Sequence, residues 1–426
     1  MHKIERLLHT LAPKGVGFKT LEEVFEIRNG YTPSKNNPEF WKNGTIPWFR
    51  MEDIRENGRI LKDSIQHITP KALKGKKLFP KNSIIISTTA TIGEHALLIV
   101  DSLANQRFTF LSKKANCDLA LDMKFFFYQC FLLGEWCKNN VNVSGFASVD
   151  MTAFKKYKFP IPPLEIQQEI VTILDAFTEL NTELNTELNA RKKQYQYYQN
   201  MLLDFNDINQ NHKDAKERLA QKPYPKRLKT LLQTLAPKGV GFRKLGEVCE
   251  ILDNRRIPIA KNKRKPGIYP YYGANGIQDY IDSYIFDGDF VLVGEDGSVI
   301  NKDNTPVVNW ASGKIWVNNH AHVLQTKNEL KLKFLYFYLQ TIDVSYCVAG
   351  TPPKINQENL KKITIPIPPL EIQQEIVTIL DQFSALTTDL LAGIPAEIKA
   401  RKKQYEYYRE KLLTFKPLTP NKEVKK

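Results

Sequence analysis

The densest run of cations is NRRIPIAKNKRK at 254–265, which holds Arg255, Arg256, Lys261, Lys263, Arg264 and Lys265 and no acid. Side chains of this kind neutralise phosphates and release counterions, so the run suits a polyanion. Tyr271, Tyr272 and Asn275 follow in YPYYGANG and offer ring faces and an amide. Asn318, Asn319 and His320 form a further polar group. In the first half, Tyr31, Ser34, Lys35, Asn36 and Asn37 make a polar loop after a glycine turn. Arg50, Thr89, Thr91, Asn105, Gln106 and Arg107 come after it. Asn suits adenine edges and Arg guanine edges, so these residues are candidates for touching DNA. The plain alternatives are a solvated loop for the cations and core positions for the tyrosines. SGFAS at Ser144–Ser148 and GTPPK at Gly350–Lys354, which includes Lys354, are further candidate DNA-facing loops.

Constellations for catalysis are weak. No G-x-x-x-x-G-K-[ST] loop is present, and GVGF, which occurs twice, is a turn signal only. His320 and His322 in NNHAH have ligand-like spacing on a strand, with no carboxylate or thiol neighbour in the sequence. Glu397 and Lys399 form E-x-K with Asp389 upstream, but in a helical stretch where a nuclease centre needs a strand. The five cysteines, Cys117, Cys130, Cys137, Cys249 and Cys347, are odd in number and contain no C-x-x-C. That fits a reducing cytoplasm better than a zinc site or a disulfide framework. The expectation is a chain that binds and does not catalyse, with no metal and no cofactor of its own.

Bulk properties agree. Net charge is +15, from 61 basic and 46 acidic residues, which favours nucleic acid as partner. A hydrophobic fraction of 42% over 426 residues is that of soluble globular protein with two or three domains. The longest apolar run, Phe125–Leu133, has nine residues and is too short to span a membrane. The N-terminus has no apolar core of signal-peptide length.

The elements that must position these residues are announced by repetition. PIPPLEIQQEIVTILD occupies 160–175 and recurs unchanged at 366–381. LAPKGVGF occurs at 11–18 and 235–242, and ARKKQY at 190–195 and 400–405. The segments between hardly match, which suggests one shared partner surface used twice and two different ligands. The predicted order is an arm and first variable segment (1–158), a helix (159–210), an exposed connector, second arm and second variable segment (211–364), and a second helix with tail (365–426). The fold class is α+β, with two α/β domains separated by two long helices in a pseudo-two-fold repeat.

Each helix starts after a Pro-Pro pair, which suits a helix start and not its interior. Ile166, Ile170, Ile173, Phe177, Leu180, Leu184 and Leu188 make the first seam, and Ile372, Ile376, Ile379, Phe383, Leu386 and Leu390 the second. This spacing predicts an antiparallel coiled-coil pair. TELN stands three times in tandem at 178–189 of the first helix, and each unit adds about 6 Å of helix. The second copy instead carries Gly393 and Pro395, which predict a break. Tyr195, Tyr198, Tyr405 and Tyr408, beside the ARKK clusters, favour a packed interface with a partner.

This combination resembles the specificity subunits of type I restriction–modification enzymes. The likeness rests on the helices beginning PPLEIQQEIV, the ARKKQY ends, the TELN run, and the phrases at 29–54, 89–99 and 348–371. The resemblance implies two target-recognition domains, each reading half of a split double-stranded DNA sequence across a non-specific gap. It implies helices that set the gap and dock two modification subunits, which carry S-adenosylmethionine and methylate adenine. It further implies restriction subunits that use ATP and Mg. The N-P-P-Y-like loop of an adenine methyltransferase is absent here. From residues alone, a self-contained DNA methyltransferase or nuclease and a non-enzymatic coiled-coil spacer protein stay open as alternatives.

Overall fold

The computed structural model describes residues 2–75, 77–142, 147–210, 214–297, 299–388 and 393–418. Two compact units form: residues up to Glu183 together with those from Lys399 onward, and Leu184–Ile398.

In the first unit an arm helix, His2–Leu11, leads into β1 (Gly17–Thr20). The strands that follow are β2 (Phe25–Asn29), β3 (Ile46–Phe49), β4 (Ile60–Leu61), β5 (Ser83–Ser87), β6 (His95–Leu98), β7 (Leu103–Ala104), β8 (Phe108–Lys113) and β9 (Lys158–Ile161). β1 pairs antiparallel with β9, Gly17 opposite Ile161 and Thr20 opposite Lys158. The chain therefore enters and leaves the variable segment through one two-stranded neck. Within it a sheet runs in the order β2-β8-β5-β6-β4. The central SIIIS strand is buried on both faces, as its unbroken apolar run requires. The helix Met123–Asn139 covers it, started by the Asp122 carboxylate, which accepts from the Lys124 and Phe125 N–H groups.

The second unit repeats the plan. Its strands are β10 (Gly241–Lys244), β11 (Cys249–Ile251), β12 (Pro266–Gly273), β13 (Gly276–Ile281), β14 (Phe286–Gly294), β15 (Val308–Val317), β16 (Ala321–Thr326) and β17 (Thr364–Ile367). The neck is β10 against β17 with the same register, Gly241 opposite Ile367. The sheet order is β11-β16-β14-β15-β12-β13, and Leu332–Leu339 is the packing helix.

The inward face of the identical 16-residue repeat bolts each variable segment to a helix start. Gln167 is fully buried; its Nε2 donates to the carbonyls of Ala120 (2.9 Å) and Pro162 (2.7 Å). Its Oε1 accepts from Asp122 N at 2.8 Å. Gln373 does the same with Glu329 O (3.0 Å), Pro368 O (2.7 Å) and Lys331 N (2.7 Å). Asp175 holds Lys124 at 2.6 Å, and Asp381 holds Lys333 at 3.4 Å. Much of the repeat thus serves the protein's own interior.

The first long helix, Leu164–Leu203, is continuous through all three TELN units. The second copy is two helices, Leu370–Thr388 and Ile394–Leu413, with Gly393 before the second and Pro395 in its first turn. Leu390 and Asp389 lie outside the described residues. In the first unit Phe177 stacks on Tyr408 at 5.7 Å and packs beside Tyr405. In the second unit Phe383 stacks on Tyr198 at 5.1 Å. Each contact joins the start of one copy to the end of the other, so the copies pair antiparallel within each unit.

Four expectations need correction. The buried stripe at each helix start is wider than a seam, adding Gln167, Val171 and Leu174 to Ile166 and Ile170, because it packs on a domain rather than on a single helix. Leu386 is 39% exposed while Thr387 is buried. Tyr195, Tyr198, Tyr405 and Tyr408 pack inside their own units; the exposed pair is Tyr197 and Tyr407. The polar stretch after the first helix is also no exposed connector. It forms the helix Ala215–Gln221 and leads into the second arm helix, Lys226–Leu235. Ile208, Leu219, Tyr224 and Leu228 are buried there, and Lys222 binds Asp204 and Asp207, each at 2.9 Å. A few apolar residues at helical spacing outweigh the polar composition. The repeated LAPKG turn clasps this chain: Val240 N donates to Ile208 O at 2.8 Å, as Val16 N does to Lys416 O at 2.9 Å. Gly239, at φ +97°, could carry no Cβ, which would lie 2.4 Å from Ile208 O.

His95 is buried between Phe127 and Phe131. Burial, helped by the charge of Arg59, pushes its imidazole down to about 3. A histidine held neutral in the fold stabilises it above the unfolded value of about 6.5 and loses that contribution as pH falls toward 3. Urea unfolding at pH 5 should therefore show about 2 kcal/mol less stability than at pH 7, and His95→Leu should remove most of that difference.

Candidate nucleic-acid interface

Loops meet at the same end of both sheets, in the same way. In the first unit these are the turn after β5, the β7–β8 turn, and the segment ending at Ser148. Thr88 N donates to Arg107 O at 3.2 Å, and Val149 N donates to Thr88 O at 2.9 Å. In the second unit Glu295 N donates to His320 O at 2.8 Å, and Ile355 N donates to Glu295 O at 2.9 Å. The bridges Thr89–Ser148 and Asp296–Lys354 correspond as well.

The middle loop is an Asx turn in both. Asn105 Oδ1 accepts from Arg107 N at 3.0 Å, and Asn318 Oδ1 accepts from His320 N at 2.8 Å. Parallel pairing places each turn beside a second strand: Asn105 N donates to Phe49 O and Asn318 N to Tyr272 O, both at 3.0 Å. The turn after β5 is pinned against the buried helix, because Gly93 and Gly134 approach so closely that a Cβ on Gly93 would lie 2.5 Å from Gly134 O.

Beneath the loops, equivalent strand positions hold unlike groups. In the first unit Thr109 Oγ1 donates to Asn29 Oδ1 and pairs with Thr88 Oγ1, both at 3.0 Å. The matching positions in the second unit are Asp253, His322 and Glu295. His322 is fully buried; Nδ1 meets Asp253 Oδ2 at 2.6 Å and Nε2 donates to Ile355 O at 2.8 Å. Arg256 reaches Glu295 at 2.6 Å and Asp253 at 3.4 Å, and Lys354 reaches Glu295 at 3.1 Å. Burial alone would raise the Asp253 carboxyl, but the His322 bond and charge, with Arg256, hold it below the usual range. Asp253, Glu295 and His322 are close enough to share a metal ion. Their atoms are already spent on each other, on Arg256 and on a carbonyl, so the cluster serves as a charged brace for the loops.

The structure redistributes the candidate residues. Arg256 belongs to the brace, with its side chain 11% exposed. Arg264 donates to Ile259 O and lies over the Tyr271 ring. Arg255 donates to Ile285 O and lies over Phe286. Lys261, Lys263 and Lys265 remain as exposed cations. Tyr271 and Tyr272 are core residues, the Tyr271 hydroxyl bonding the Ile259 backbone. Asn318 is buried, with Nδ2 on Gln278. These three side chains are corrected to structural roles, because aromatic rings and an amide beside a sheet found interior partners. Asn37 caps a short helical turn by accepting from Glu39 N, and Arg50 lies half-buried beside Glu52 and Trp48. Lys35, Asn36, Thr91, Arg107, Asn275 and His320 are exposed, and Thr89 is half-buried. Ser144, Gly145 and Phe146 of the SGFAS candidate lie outside the described residues. His320 and His322 do have carboxylate partners, Asp296 and Asp253, brought from distant sequence. Of the brace, the sequence singles out His322 and Arg256 but not their carboxylate partners Asp253 and Glu295; Gln167 and Gln373 carry a signal, since both stand inside the repeat.

Two homologous units of this kind, each with a braced loop platform, define a two-headed recognition protein. A family model described as the type I restriction modification DNA specificity domain matches residues 13–194 and 237–400. The chain is 41% identical over 386 residues to the Escherichia coli type I restriction enzyme EcoprrI specificity subunit, spanning 87% of this chain and 88% of that one. Its fold is similar to that of the type I restriction–modification S subunit of M. genitalium, with TM-score 0.53 and 16% identity over 94% of this chain and 96% of that one. A structure from work on assembly and conformational transition of the type I system gives TM-score 0.58 and 18% identity over 94% and 97%. The chain belongs to the family of type I restriction–modification specificity subunits. No helix among the described residues is long and apolar enough to cross a membrane.

Asp253→Ala should cost about 3 kcal/mol, because it takes from the buried His322 its 2.6 Å partner and leaves Arg256 with Glu295 alone. Asn29→Ala in the neutral counterpart should cost about 1 kcal/mol. Urea unfolding of both variants checks the difference.

Proposed function

We propose that each loop platform reads one half of a split DNA target, and that the paired helices set the gap and dock two modification subunits. The observation that carries this is a platform built twice on one plan with different exposed side chains. Lys261, Lys263 and Lys265 suit phosphate contact beside the second platform, and Lys35 beside the first. The repeated helices also keep residues that are exposed and identical in both copies, which the fold itself does not require. Leu164, Glu165 and Gln168, with Leu370, Glu371 and Gln374, are such residues, and Tyr197 and Tyr407 extend them. They suit a pair of identical partners.

The chain itself binds and does not catalyse. Glu397 and Lys399 stand on the helix Ile394–Leu413, not on a strand, and the Asp253 cluster is saturated by internal partners. S-adenosylmethionine, ATP and Mg belong to partner subunits in this reading, and the assembly works on double-stranded DNA in the cytoplasm, joined by restriction subunits.

Exchanging residues 18–158 for the segment of a relative should change one half of the methylated motif and spare the other half and the gap. Methylome sequencing of cells carrying the exchanged chain and its modification subunits reads this out; an unaltered motif refutes the proposal. The TELN run spans the division between the two units, which falls at Glu183 and Leu184. Deleting Thr186–Asn189 removes about 6 Å of helix and should shorten the gap by one or two base pairs with both half-sites intact. Altered half-sites with an unchanged gap would refute the spacer role.

A further inference from the structure

The two Asx turns can be superposed residue by residue from strand register. Asn105 and Asn318 each spend the side-chain oxygen on the backbone N–H two residues ahead. Each turn then exposes two side chains: Gln106 and Arg107 in the first unit, Asn319 and His320 in the second. Their backbones are held by the same hydrogen bonds to the neighbouring loop, from Thr88 N to Arg107 O and from Glu295 N to His320 O. The turns are therefore rigid in main chain and free in side chain. Among the described residues the Arg107 guanidinium and the Asn319 amide have no partner. Gln106 accepts from the Thr32 hydroxyl through Oε1 and keeps its amino group free. His320 is held by Asp296 at Nδ1 and keeps Nε2 free.

We propose that positions 106–107 and 319–320 are the equivalent base-reading pairs of the two units, the residues that set which purine edges each half-site must present. This rests on the DNA-reading function proposed above. The side-chain types fit it. A guanidinium fork matches guanine O6 and N7, and Gln and Asn amides match adenine N6 and N7. His320, with Nδ1–H given to Asp296, offers Nε2 as an acceptor for a base amino group. The braces beneath, Asn29–Thr109–Thr88 and Asp253–His322–Glu295, in which Thr88, Thr109 and His322 are buried, supply the stiffness that lets short side chains discriminate. Neither pair is needed to hold the fold, so the residues are free to differ between units while the turn stays the same.

The test uses the full chain co-expressed with its modification subunits. Methylome sequencing and competition binding of duplexes varied one base pair at a time are the readouts. Arg107→Ala should relax one base pair in a single half-site, with discrimination there falling about 5- to 150-fold, and leave the other half-site and the gap unchanged. Arg107→Lys, which keeps the charge and loses the fork, should relax the same base pair. Asn319→Ala combined with His320→Ala should act on the opposite half-site only. An unchanged motif with uniformly weaker binding to all duplexes would overturn the proposal, since that is the mark of a phosphate contact. The 18–158 exchange separates the failures. If it alters a half-site while the turn variants do not, the pairs are wrong and DNA reading stands; if it too leaves the motif unaltered, DNA reading falls as well.

Discussion

Gln167 and Gln373 each place a carboxamide out of reach of water, between a helix start and the segment that precedes its packing helix. An amide there must find all its partners inside, or its burial destabilises the fold. Both find three, two carbonyls and one N–H, in the same arrangement. That requirement fixes where the recognition segment ends, how the packing helix begins and which face of the long helix turns inward. It accounts for the inward-facing residues of the helix starts being the same in both copies while the segments they hold differ.

The braces show how far that freedom extends. One slot is filled by two threonines and an asparagine, the other by a histidine, two carboxylates and an arginine. The charged set is held by internal partners, the buried Thr88 and Thr109 hydroxyls of the neutral set pair with each other, and each set ties a strand end to the loops above it. Neutral and charged solutions are equally acceptable because the constraint is satisfaction of buried polar atoms, not a particular chemistry. The charged version is the more sensitive to loss of a member, since each deletion takes a partner from a charge that is largely out of water.

Above the braces the main chain is held by backbone hydrogen bonds, and the exposed side chains differ between the units without changing the scaffold. The helices impose the complementary constraint. Each unit contains the beginning of one repeat and the end of the other, so neither repeat is complete within a single unit. The stretch between the units in the first copy is the tandem tetrapeptide, where Leu180, Leu184 and Leu188 are half-buried among exposed polar neighbours. Such a stretch can change length without disturbing either core.

Repetition made the frame legible from residues alone. The two helices, the Pro-Pro starts, the break at Gly393 and Pro395, and the central strands SIIIS and FVLV all follow from local patterns. Family membership followed from the same motifs. What local pattern could not reveal were contacts between distant residues. Local pattern leaves Tyr271 and Asn318 open to a surface or a core position, and sheet pairing buries both. The basic run 254–265 looked uniform, yet Arg256 lies beside Glu295, 39 residues away, and so leaves the surface. The stretch from 206 to 229 looked like an exposed linker, yet Leu219 and Leu228 found a core supplied by other elements. Hydrophobic period and helix stops act within a few residues and can be read in sequence. Burial and charge pairing depend on which strands become neighbours, and only the tertiary structure decided that.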